Sequence, residues 1–239
     1  MNDAATIETP DFTTLPRGRL ETMRRAGAEV LECHRVLRKG GLNLVGEVLR
    51  EQGTFYKTNH YPKGDVYDRD SHSQYYYHAH RENEHGHFHT FLRGKGMPED
   101  AAPAPEAAER DWPAGEKALA HLVAISMDKK GQPLRLFMTN RWVTGETWFP
   151  APEITRMLER FEIDHAYPSW PVNRWITAML RLYRPQIEAL LLERDAALEA
   201  RRAAHPGRDV FEDRDFEVLA ERPIELTVQI DAVATALGR

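Results

Sequence analysis

The chain reads as an α+β protein, an antiparallel β-sheet with helices at the N- and C-terminal ends of the chain, and three observations predict it. Apolar residues recur at helical spacing before residue 54 and again after residue 148. Between those limits the sequence turns aromatic and β-branched, with period-two alternation. Within that stretch Asp128-Lys129-Lys130-Gly131-Gln132 joins two apolar runs in the manner of a hairpin turn. With 239 residues, 41% of them hydrophobic, the chain can bury one sizeable core. The expected organisation is a mobile arm over 1–15 and a single domain over 16–239. That domain is helical over 16–53, sheet over 54–148 and helical over 149–239.

Each element has its own signal. Pro10 and Pro16 punctuate the polar arm. Leu20, Met23, Ala26, Val30 and Leu37 mark one helical face from Arg17 to the stop at Gly40-Gly41. A short helix over 42–51 ends before Gly53. Thr54 to Tyr61 reads as a strand and Pro62-Lys63-Gly64-Asp65 as a turn. Gln74 to His80 and Gly86 to Leu92 read as two strands joined by Arg81-Glu82-Asn83-Glu84. Gly96 to Ala114, rich in Ala, Pro and Glu, reads as a loop, a lid or linker in character. Ala118–Met127 and Leu134–Val143 form the second hairpin. Helices follow over 152–161, from Val172 past Glu199 with a kink near Pro185, and over 224–237.

Composition excludes several classes. The net charge of -5 comes from 32 bases and 37 acids, mixed along the chain without a basic block, so no nucleic-acid partner is expected. One cysteine, Cys33, leaves nothing to pair within the chain and fits a reducing compartment. The N-terminus lacks an apolar signal core and no apolar run reaches membrane length, so we expect a cytoplasmic protein without a membrane partner. A glycine-rich phosphate loop, a G-x-S-x-G elbow and a CxxC pair are all missing from the sequence.

Chemistry concentrates between His72 and His89, where six of the eleven histidines fall. Side chains alternate across a strand, so His78 and His80 share one face, as do His85, His87 and His89. If His80 lies opposite His85 or His87, both sets meet on one face, with cross-strand Cβ atoms about 5 Å apart. Several imidazoles could then converge on one ion at about 2 Å each. The opposite face would carry Tyr75, Tyr77, Phe88 and Leu92 into the core. Imidazole suits zinc and iron, with copper and nickel as further options, and not calcium or magnesium. Glu82, Glu84, Asp65, Asp68 and Asp70 stand near enough in sequence to add a carboxylate. The ligand set expected is His78, His80, His87 and His89, with His85 and Glu84 as alternates and Tyr76 as their hydrogen-bond partner. A metal-free acid/base cluster and a purely structural face are the competing readings.

Three resemblances attach to these residues. His78-Ala79-His80 with Glu84 resembles the first cupin motif, which implies two histidines and a glutamate on a metal inside a β-barrel. His85-Gly86-His87-Phe88-His89-Thr90-Phe91 is similar to the histidine-triad motif of nucleotide hydrolases and transferases, which implies His87 as a nucleophile without metal. The stretches from Asn59-His60-Tyr61-Pro62 to His89-Thr90-Phe91-Leu92, and Asn140-Arg141-Trp142-Val143-Thr144, look like a family of uncharacterised bacterial proteins with no assigned activity.

Outside the cluster, Arg141 could hold an anionic substrate, with Trp142 or Trp148 walling a pocket, or could pair with Glu146 or another acid. His121 could be a distant ligand or a structural strand residue. Ile187, Leu190, Leu191 and Leu198 form an apolar stripe that packs either at home or against a second copy in a homodimer. The expected function is a mononuclear metalloenzyme acting on a small molecule, an iron oxygenase-type enzyme or a zinc hydrolase or lyase, with Glu84, Tyr76 and Arg141 as its catalytic candidates. A histidine-triad-like nucleotide enzyme and a metal carrier or sensor are the alternatives.

Overall fold

Among the described residues, six strands form a single antiparallel sheet in chain order: β1 Tyr61–Tyr67, β2 Ser73–His78, β3 Gly86–Arg93, β4 Leu119–Met127, β5 Pro133–Thr139 and β6 Val218–Pro223. Seven α-helices of the described residues accompany it: α1 Arg17–Lys39, α2 Leu44–Leu49, α3 Arg141–Thr144, α4 Ala151–Met157, α5 Trp170–Leu182, α6 Arg184–Ala204 and α7 Leu226–Leu237. The structure, a computed structural model, describes Ile7 and residues 10–238. The architecture is α+β, with helices at both ends of the chain, as the patterning predicts. Most of the arm expected over 1–15 lies outside the described residues. Of the remainder, Phe12 is buried in the main core.

Helix α1 follows from its stripe. Leu20, Met23, Ala26, Val30, Cys33, His34 and Leu37 are buried at three- and four-residue steps and pack on α5. Gly41 takes φ +71° just beyond the helix, a conformation that costs glycine little. On α5, Trp175 closes the core and donates from its indole to His34 Nε2 at 3.2 Å. Phe88 on β3 meets Trp175 with ring centroids 5.9 Å apart, and the Tyr75 hydroxyl donates to Asn173 Oδ1 at 2.6 Å. These contacts bind one sheet face to the helices.

Four expectations are corrected. Residues 62–65 do not turn the chain but lie inside β1, as a bulge between Tyr61 and Val66 with positive φ at Gly64 and Asp65. An edge strand tolerates the proline and the irregularity because one side of its backbone is unpaired. The second hairpin has the expected turn, with Asp128 Oδ1 accepting from the Lys130 and Gln132 amides at 2.8 Å. Its second strand, however, stops at Thr139, where the Asn140 side chain caps α3. At Pro185 the helix does not kink but breaks: α5 ends at Leu182 and proline enters the first turn of α6, where its missing N–H costs nothing. Finally, the region expected to be all helical contains β6, which pairs with β5. Leu219 alone in β6 is buried, and a charged, proline-ended strand of this kind carries no alternation to read.

The other sheet face carries the histidines. Near it lies a second, smaller core of Ala104, Trp112, Trp148, Leu198, Val210, Phe211 and Leu219. The Ala/Pro-rich segment after Gly96 contributes to that core through Ala104 and Trp112, and lines a cavity of about 540 Å³ together with Thr147 and Phe149.

Candidate metal centre

The β2–β3 register decides the site. His78 pairs with His87 and Tyr76 with His89, so the three histidines and Tyr76 share a face. Tyr75, Tyr77 and Phe88 point the other way, into the main core. This is the arrangement that burying the aromatics requires. The 79–85 link turns at Asn83, whose φ of 62° suits an asparagine, and brings Glu84 back beneath His87.

One ring nitrogen from each of His78, His87 and His89 lies within 4.8 Å of the other two. All three residues are buried, His87 and His89 completely. Ring centroids stand 4.4 Å apart for His78 and His87, 4.9 Å for His87 and His89, and 5.1 Å for His78 and His89. Two nitrogens on one ion at about 2.1 Å each are at most about 4.2 Å apart, so small ring rotations close the set. The Nε2 atoms of His78, His87 and His89 are buried and have no hydrogen-bond partner among the described residues. A buried polar atom left unpaired costs about 1–3 kcal/mol, and three on neighbouring rings are an arrangement that a bound cation relieves. The donor set therefore fits a transition-metal ion.

The remaining nitrogens orient two of the rings. His87 Nδ1 is hydrogen-bonded to Glu84 Oε1, and the other Glu84 oxygen accepts from the Ser126 hydroxyl. His89 Nδ1 meets His121 Nε2 at 3.0 Å. With Nε2 left as a lone pair, each Nδ1 carries its proton and donates outward, the second layer seen around metal-bound imidazoles. His121 reaches this position through a β-bulge. Thr90 pairs with Val123, but Phe91 pairs with His121, so Leu122 is the extra residue and the histidine turns onto the metal face. The His121 backbone amide then donates to Glu146 Oε2 at 2.8 Å.

Burial sets the protonation states. It holds His78 down to about 2, helped by the neighbouring His87, His80 and His60, and His121 down to about 3, helped by Arg194. His89 is driven well below the usual imidazole range, again by burial first. For the Glu84–His87 pair, burial lowers His87 against the pull of Glu84. The same burial opposes ionisation of Glu84, but the His87 and Ser126 hydrogen bonds prevail and hold its carboxyl low. The pair is thus neutral imidazole and carboxylate, and neutral imidazole is the form that ligates metals. Glu146, fully buried, is pushed up to about 7 by desolvation.

Not every expected residue arrives. His80 stands at the rim, half-buried, its ring 5.0 Å from His78 and 5.1 Å from His87, outside the nitrogen triad. His85 is turned to the other face, bonded to the Tyr77 hydroxyl at 2.8 Å and stacked on Phe55, because β3 begins only at Gly86 and strand alternation does not extend to it. Tyr76 lies beside the cluster, with His60 stacked on it at 3.6 Å and His89 5.2 Å away. Arg141 is elsewhere: its Nε donates to Glu212 at 2.7 Å and its Nη1 to the Glu146 carbonyl at 2.9 Å. Asp65 and Asp68 bond Gln74 and backbone amides respectively, away from the triad. Ser126, His60 and Arg81 carried no sequence signal; only the sheet register and the 79–85 link bring them in.

Among the described residues, no helix is long and apolar enough to cross a membrane. No curated protein and no solved structure matches the chain. A family model does, over residues 24–224, which include every strand and the whole histidine cluster. The chain therefore belongs to the family described as a domain of unknown function, DUF6969.

Proposed function

We propose that this protein is a metal-dependent enzyme with a mononuclear centre held by His78, His87 and His89. The observation that carries the reading is the clustering of one ring nitrogen from each of three buried histidines whose Nε2 atoms have no partner among the described residues, two of the rings being oriented from behind by Glu84 and His121. A zinc or iron ion bound there supplies a Lewis acid with open coordination positions, suited to a hydrolase or lyase with zinc and an oxygenase-type reaction with iron. Glu84 and His121 keep the imidazoles in the ligating tautomer. His80 stands beside the triad, where it can hydrogen-bond a bound small molecule, and Tyr76 with its stacked His60 walls the cluster next to His78 and His89.

Burial favours an enzyme over a carrier, because a carrier must exchange its ion and does so through exposed, flexible ligands. It also argues against a metal-free nucleophile: His87 has no exposed surface, and Glu84 occupies its Nδ1. The test is elemental analysis of tag-free protein after reconstitution with zinc, iron or copper and dialysis. About one ion per chain is expected for the wild type and a small fraction of that for His78→Ala and His87→Ala. A wild type without metal, or both variants at full occupancy, would sink the proposal.

A further inference from the structure

Arg81 directly follows His80 at the rim of the histidine cluster. Its guanidinium lies over the Phe137 ring, 4.3 Å from the centroid, and that ring meets His87 edge-on at 5.2 Å. One edge of the guanidinium is used: Nη2 contacts Glu221 Oε2 at 3.2 Å. The other is not: among the described residues, the buried Nη1 has no hydrogen-bond partner. Glu221 also takes Arg135 Nη1 at 3.5 Å, so two guanidinium groups share one carboxylate. Glu84 feels the Arg81 charge, but its two oxygens are hydrogen-bonded to His87 and Ser126.

A charged donor left open beside the metal ligands is a binding element for an anion. We infer that Arg81 is the substrate-binding residue of the centre and that the substrate carries a carboxylate. This rests on the metal reading above, which it narrows to small carboxylic acids. A carboxylate brings one negative charge towards Arg81, whereas a phosphate dianion brings two beside the Glu221 and Glu84 carboxylates. One phenyl ring separates the guanidinium from His87, so the carboxylate and the reacting carbon belong to the same short molecule.

The experiment uses the full chain, with zinc content measured first for wild type, Arg81→Gln, Arg81→Lys and Arg222→Gln. Each is then titrated calorimetrically with acetate and, separately, with inorganic phosphate, and zinc-free wild type is run alongside. Arg222 is half-buried and paired with Glu193, so Arg222→Gln makes the same charge change without touching Arg81's contacts. Acetate affinity should fall at least about tenfold in Arg81→Gln, the worth of a charge-assisted hydrogen bond. It should fall less in Arg81→Lys, which keeps the charge without the fork, and not at all in Arg222→Gln, while zinc content stays level. Acetate binding that is unchanged in Arg81→Gln overturns the proposal. If that variant fails to fold, unchanged binding in Arg81→Lys does so instead. Phosphate bound more tightly than acetate through Arg81 overturns the carboxylate assignment. A wild type that holds no zinc yet binds acetate through Arg81 keeps the anion site and removes the metal reading.

Discussion

At the scale of single residues, Glu84 has the widest reach for its size. Its side chain is almost wholly buried, and its two oxygens fix the His87 ring and the Ser126 hydroxyl. Ionised, it increases the basicity of the imidazole it holds. Glu84→Gln preserves shape and an acceptor but removes the charge. Metal affinity should fall about 10–100-fold, as for other outer-layer carboxylates, with the circular dichroism spectrum unchanged. Equal affinity in competition with a chelator would leave Glu84 no part in the centre. His85 illustrates the limit of reading residues by spacing. Two positions before His87, it shares the period of the ligands, yet it bonds Tyr77 on the core side.

Among the elements, the β2–β3 pair brings the ligands together, and Gly86 is the tightest point in it. A Cβ there would stand 2.5 Å from the His78 carbonyl oxygen and 2.6 Å from the Tyr77 hydroxyl. Gly86→Ala must therefore push β2 from β3 beside the His78–His87 pair. A loss of about 1–3 kcal/mol in urea unfolding is expected, with metal occupancy falling well below that of wild type. The contrasting substitution is Gly18→Ala in α1, where nothing lies within 4 Å of the new methyl group. It should stabilise by about 0.5–1 kcal/mol through helix propensity and leave the metal in place. Matching behaviour of the two variants would show that the close approach at Gly86 has no bearing on the site. The bulge at Leu122 acts at this scale as well, since one extra residue turns His121 towards His89.

Over the whole molecule, the sheet is gripped on its core face by α1 and α5, and a buried polar contact lies inside that grip. His34 is 7% exposed, accepts from the Trp175 indole and is held down to about 4, mainly by burial. A histidine depressed in the folded state favours the native fold while it is neutral, above its unfolded value near 6.5. As pH falls from about 6.5 to about 4 the unfolded chain takes up the proton first, and stability is lost. A shift of this size corresponds to about 3 kcal/mol. Urea midpoints measured at pH 7 and pH 4.5 on metal-free protein should therefore differ less for His34→Gln, which keeps an acceptor for the indole. An identical pH dependence in the variant would exclude His34 as the source.

Much of this protein was written in local pattern. The α1 stripe, the Asp128–Gln132 turn, the α+β class and the shared face of His78, His87 and His89 all follow from periods of 3.6 and 2, because neighbours along the chain set them. The same patterns go silent where long-range packing chooses. Residues 62–65 have turn chemistry, but pairing with β2 absorbs them as a bulge. β6 has little alternation of its own and becomes a strand only because β5 offers it an edge. Strict alternation would place His121 with Val123 and Ile125 on the core face, and the bulge reverses it. Arg141 had the composition of an anion site and is taken up by Glu212, 71 positions away, while Arg81 keeps an open edge. The sequence by itself determined that histidines gather on this hairpin and that His78, His87 and His89 can share a face. Only the tertiary structure decided which nitrogens converge, because that depends on register, bulges and distant charges that no local window contains.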